Sequence, residues 1–196
     1  MKKLVLTAFI FILLWRLFGD NDAVVLGPGI KAPESPVQQG LKQPDNFQFK
    51  GYQITPLAEF KIRAKVLSRE AYSLGRESEL SPVDFALGWG EMSDEAVLEK
   101  IDISQSGRWY RWRVQEFPIP RKTIETHSAN MHLIPANDLV EDTIDLVKQG
   151  QVIELDGYLI RAEADDGWHW QSSLTRNDTG AHACELVYVE SAQLIH

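Results

Sequence analysis

The sequence predicts an α+β fold: a mainly antiparallel curved sheet or small OB-like or SH3-like barrel with one or two helices, preceded by an N-terminal membrane-anchor helix. Three observations predict it. Apolar and polar residues alternate over 58–67, 108–117 and 184–195, the period of half-buried strands. A helical pattern sits between strand patterns at 138–148, the order expected of an α+β domain. An apolar run from Leu4 to Trp15 follows Lys2 and Lys3 at the start.

The start combines a basic n-region with an apolar stretch shorter than the ~17–25 residues of most spanning helices. No small-x-small cleavage site follows it, since Gly19-Asp20-Asn21-Asp22 come next. Trp15 and Arg16 have the character of an interfacial anchor. Residues 1–19 are therefore expected to remain as a signal anchor in the cytoplasmic (inner) membrane, crossing once and placing the C-terminal domain outside the cytoplasm. Residues 20–47 are rich in Pro, Gly and Gln and read as a tether. The extracytoplasmic domain is assigned to 48–196. Setting Lys2, Lys3 and Arg16 aside from 20 basic residues leaves 17 against 28 acidic ones, so the exported part carries −11. That balance argues against phosphate-driven nucleic-acid binding.

Within the domain, Phe60, Ile62, Ala64 and Val66 share one strand face, and Glu59, Lys61, Arg63 and Lys65 are expected on the wet face. Ser93 is placed to cap a short helix through Lys100. Arg108–Phe117 reads as a strand with Tyr110, Trp112 and Val114 on one side and Arg111, Arg113 and Gln115 on the other, stopped by Pro118 and Pro120. Asp138 and Glu141 have capping-box spacing ahead of a helix to Lys148, in which Leu139, Val140, Thr143, Ile144 and Val147 share a face. The remainder reads as a three-stranded meander: 152–164 with a bend or bulge at Gly157, 168–172 beyond the Asp165-Asp166-Gly167 turn, and 184–195.

Candidate sites follow from residue chemistry. Arg108-Trp109-Tyr110-Arg111-Trp112-Arg113 interleaves guanidinium forks with aromatic planes, a pattern able to hold carboxylates, phosphates or bases. In an acidic domain the simpler expectation is that a neighbouring acid such as Glu116 or Asp178 neutralises each Arg. His127-Ser128-Ala129-Asn130-Met131-His132 is expected as a loop, because imidazoles five apart match no common metal motif. His182 and Cys184 do not complete a convincing zinc set. Nothing local activates Cys184, which reads as a small core residue. The stretch Ser172–Gly180 is a hydroxyl-rich loop with one Arg. Gly88-Trp89-Gly90 presents a ring as either a recognition surface or a core plug. Walker, dinucleotide-binding and nucleophile-elbow motifs are absent from the sequence, so no cofactor and no metal are assigned.

The function these features suggest is a membrane-tethered binding or interaction module for a protein, peptide or envelope ligand, not an enzyme. Arg111, Arg113, His132 and Arg176 are the expected ligand-binding residues, brought together if the loops around His132 and Arg176 share one end of the sheet. The first alternative is a membrane-anchored hydrolase using Cys184 or a His127/His132 site. The second is single-stranded nucleic-acid binding through 108–113.

Overall fold

The computed structural model describes residues 23–175 and 184–195. The expected anchor, Arg176 and His182 lie outside these residues. In chain order the strands are β1 (Val37–Gly40), β2 (Phe47–Phe49), β3 (Tyr52–Ala71), β4 (Val83–Gly88), β5 (Ile101–Ser106), β6 (Trp109–Val114), β7 (Ser128–Pro135), β8 (Val152–Glu163), β9 (His169–Gln171) and β10 (Glu185–Ile195). Short helices cover Glu77–Leu80, Glu95–Leu98 and Arg121–Thr126, and a longer one covers Asp138–Leu146. Among the described residues no helix is long and apolar enough to cross a membrane.

The fold is mostly curved sheet with few helices, and five of its strands form a ring. β4 runs antiparallel to β3 and β7, β7 runs parallel to β10, β10 is antiparallel to β8, and β8 returns to β3. β3 serves both seams that meet on it, pairing with β8 over 53–65 and with β4 over 65–71. Register breaks at Pro56/Ala58 and Val66/Ser68 bend this long strand, as bulges do. Its alternating Phe60, Ile62, Ala64 and Val66 join Phe85, Leu87, Met131, Leu133, Leu155, Leu159, Val187 and Val189 in the core inside the ring.

Several local expectations are corrected. Lys65 is not on a wet face: it is 2% exposed and ion-paired with Glu95 of the helix laid over β3. The segment 128–135 is a central strand instead of a loop, with Met131 and Leu133 inward and Ser128, Asn130 and His132 outward. The last strands are not a meander. β9 and β10 both lie beside β8, at 161–163 and 152–159 respectively, and β10 also pairs with β7. Asp94, not Ser93, caps the helix at 95–98 by accepting from Ala96 N. The long helix is capped by Asn137, which accepts from Val140 N, and Leu139 faces solvent while Val140, Ile144 and Val147 are buried.

Part of the expected tether is laid against the domain. Val24 N donates to Gln149 O, Gly29 N donates to Asp94 Oδ1, and Lys31 N and Ala32 N both donate to Ser93 Oγ. Ala32 is buried and β1 pairs with the middle of β3. Pro and Gly here prevent helix, and the non-proline amides between them donate to side-chain acceptors on the domain.

β5 and β6 form a separate hairpin outside the ring. Tyr110, Trp112 and Val114 pack on Leu67, Ala86, Met92 and Ile124, a second apolar layer on the outer surface of β3 and β4.

At Gly157 the backbones of β8 and β10 leave no room for a side chain. A Cβ there would sit 2.0 Å from Tyr188 O, opposite the register break between Val189 and Ser191. Gly157→Ala is expected to destabilise the domain by about 2–3 kcal/mol through overpacking against backbone that cannot yield. Chemical denaturation of wild type and variant checks this; an unchanged midpoint would show that the seam is loose.

Candidate functional site

Asp84 begins the site. Its neighbours in β4, Val83 and Phe85, point into the core, so parity places Asp84 on the outer face, beside its register partner His132. That face is covered, and Asp84 is 0% exposed. A buried carboxylate is tolerated only when charge and hydrogen bonds surround it. Arg108 Nη1 donates to Oδ1 at 2.8 Å, and Ser81 Oγ donates to the same oxygen at 3.4 Å. His132 Nδ1 lies 2.9 Å from Oδ2, off the line of the ring N–H, so this contact is electrostatic and not an in-line hydrogen bond. Asn130 Nδ2 lies 3.5 Å from Oδ2, while it also donates to Arg108 O at 3.1 Å; its Oδ1 accepts from Gln105 Nε2.

Arg108 occupies the two-residue turn of the β5–β6 hairpin. Both turn residues have positive φ, Gly107 at 56° and Arg108 at 66°, the geometry of a type I′ turn. A side chain at such a φ carries strain that its surroundings must offset. They do so thoroughly. The guanidinium lies 4.1 Å from the Tyr72 ring centroid and 5.4 Å from that of Trp170, Nη2 donates to Ser81 O, and Arg108 N donates to Tyr72 Oη. Burial raises the Tyr72 phenol above its ordinary range, keeping it neutral.

A cleft of about 480 Å³ opens over this cluster. Tyr72, Leu74 and Glu77, from the β3–β4 connection, form one wall. Trp170, Gln171 and Cys184 form the opposite wall, with the hairpin tip and His132 between. A second arginine clasps the walls together. Arg76 donates to Asp166 Oδ2 at 2.7 Å and to Tyr52 Oη at 3.2 Å, and stacks 4.8 Å from the Trp168 ring. That donation holds the Asp166 carboxyl below the usual carboxylate range. Trp170 also lies 4.8 Å from the His132 ring. Two apolar side chains at the rim stay exposed, Leu74 at 89% and Trp109 at 42%.

The structure divides the residues singled out from sequence. His132 lines the cleft, but on a strand and 4% exposed. Arg111 and Arg113 lie on the hairpin's outward face and are not among the cleft-lining residues. Arg111 Nη1 donates to Ser106 Oγ, and Asp102 stands opposite Arg113 in the register. Among the described residues no carboxylate comes within ion-pair distance of either, so the expected neutralisation by Glu116 does not occur. Asp178, the other expected neutralising acid, and Arg176 lie outside the described residues. His127 is elsewhere, its ring 6.4 Å from that of the buried Trp89, which acts as a core plug. Cys184 shares the cleft with His132. Asp84 was missed, although a single acid inside Val83-Asp84-Phe85-Ala86-Leu87 signals a buried charge seeking a cation.

Comparisons with protein-family models, curated proteins and solved structures found no match to this chain.

Asp84→Ala leaves the enclosed Arg108 guanidinium without its counter-charge and is expected to destabilise the domain by about 3 kcal/mol. Combining it with Arg108→Met is expected to recover part of that loss. Equal or greater destabilisation in the double variant would show that Asp84 acts independently of Arg108.

Proposed function

We propose that the chain is a binding module held outside the cytoplasmic membrane by its N-terminal anchor, with a ring of the OB type that receives a peptide segment of a partner protein in the cleft. Numbering ring strands in chain order, their spatial order is first, second, third, fifth, fourth and back to first. The third and fifth are parallel, and a helix lies between the third and fourth. This connectivity supports an OB-type closure over an SH3-like one. OB barrels bind along their second and third strands and the flanking loops.

The single observation that carries the reading is the cleft's position on that face, with walls already clasped by Arg76 and Arg108. Stacked aromatics and ion pairs hold the walls before a ligand arrives, which lowers the ordering cost of binding. The chemistry on offer is an exposed Leu74, an exposed Trp109 ring and the Glu77 carboxylate, while Arg108's charge is engaged by Asp84. These groups suit apolar and basic side chains. They do not suit phosphate, and the net charge of −8 disfavours nucleic acid further.

A photo-crosslinking residue at Leu74 in the full chain, in its native membrane, tests this. The expected adduct maps to a partner segment bearing apolar and Lys or Arg residues, disappears with Glu77→Lys, and persists with Arg111→Gln and Arg113→Gln together. Absence of an adduct, or one indifferent to Glu77→Lys, would overturn the reading. One observation favours a hydrolase as the second reading: Cys184 lines the same cleft as His132, whose Nδ1 faces Asp84. An activated thiol titrates well below the ordinary ~8.5, so alkylation of Cys184 that remains fast near pH 6 and slows in His132→Gln would support it over simple binding.

A further inference from the structure

Two surfaces complement each other and belong to different elements, the second reaching the cleft rim at Trp109. The outer stripe of the Asp138–Leu146 helix carries Leu139 at 76% and Leu146 at 71% exposure, one heptad apart, with Asp142 between them. Seven residues of helix put these leucines ~10.5 Å apart on one face. Asp138 flanks the stripe, and among the described residues neither Asp138 nor Asp142 has a cation within ion-pair distance; Asp145 does, in Arg69. Single exposed leucines are ordinary. Two aligned on a helix, with carboxylates beside and between them, make a surface with both apolar and anionic character.

The outward face of β6 presents the counterpart. Trp109, Arg111 and Arg113 occupy successive outward positions, a strip spanning ~13 Å. Their cross-strand neighbours are Ser106, Ser104 and Asp102, so small side chains leave most of the strip open. Arg111 Nη1 donates to Ser106 Oγ, and no carboxylate among the described residues pairs with it. Exposed Trp and Arg are the residue types that anchor protein interfaces, and guanidinium forks seat carboxylates.

We propose that the chain associates head to tail with a second copy of itself, the 138–146 helix of one copy docking on the β5–β6 strip of the next. Leu139 or Leu146 meets the Trp109 ring, and Asp142 and Asp138 meet Arg111 and Arg113. Because each copy uses two different surfaces, the contact is heterologous and extends into a ring or a row. The two contacts share only the Trp109 ring at the cleft rim, while Leu74 and Glu77 take no part in this association. Crosslinks from Leu74 and from Leu139 therefore report on the two separately.

A photo-crosslinking residue at Leu139, in the full chain in its native membrane, tests the proposal. The expected product has twice the monomer mass, and its crosslinked peptide falls within 101–116. Arg111→Glu with Arg113→Glu should reduce its yield several-fold, and adding Asp138→Lys with Asp142→Lys to the same chain should restore it. All four positions are exposed, and unchanged thermal unfolding of each variant confirms that they fold. A self-adduct that survives the first charge reversal, a quadruple variant without recovery, or adducts formed with other proteins alone would overturn it.

Discussion

Asp84 places a carboxylate on the outer surface of the ring, under a cover, and four segments are ordered around it. Ser81 and the β3–β4 connection approach from one side, the β5–β6 turn from above through Arg108, and β7 from beside it through His132 and Asn130. Trp170 then closes on both Arg108 and His132. Each group is in place because the carboxylate would otherwise be unpaired in a dry site, where the penalty far exceeds that of a broken surface ion pair. The strained φ of Arg108 and the walls of the cleft both depend on this demand.

A second charge repeats the device at the other end of the same cover. Lys65 emerges from the outer face of β3 and is met by Glu95, while Asp94 and Ser93 receive the amides of residues 29–32. The segment between β4 and β7 is thus fixed by two enclosed ion pairs with an apolar layer between them. The apolar layer supplies most of the driving force, in proportion to the area removed from water. The charges act differently: a shifted docking would strand them, so they select one arrangement among many of similar apolar area.

The ring was legible where one strand face meets the core and the other meets water. Residues 58–64 and 109–114 alternate visibly, and Gly157 falls at a bend because no Cβ fits against Tyr188 O. β7 was not legible as a strand. Its outward residues Ser128, Asn130 and His132 resemble a polar loop until the hairpin that covers them is known, and that hairpin is contributed by a distant stretch of chain. The same nonlocal cover explains Lys65, whose charge gives no hint of Glu95. For the site, parity correctly put Arg111 and Arg113 on the side opposite Tyr110 and Trp112. The cleft uses the arginine at the turn, where parity no longer applies and positive φ aims the chain inward.

The excursion from β4 to β7 leaves and returns on the same rung. Gly88 and Ser128 are register partners, and Trp89 N donates to His127 O immediately beyond them. Everything from 90 to 126 therefore hangs from a closed neck on one edge of the ring, as an attachment. Any covering piece must still supply counter-charges for Asp84 and Lys65. The ring's strand pairings need only that the neck be spanned, and loop closure costs grow slowly with length. The barrel can thus serve as a chassis that accepts a different covering piece, and with it a different cleft, without any of its own pairings being redrawn.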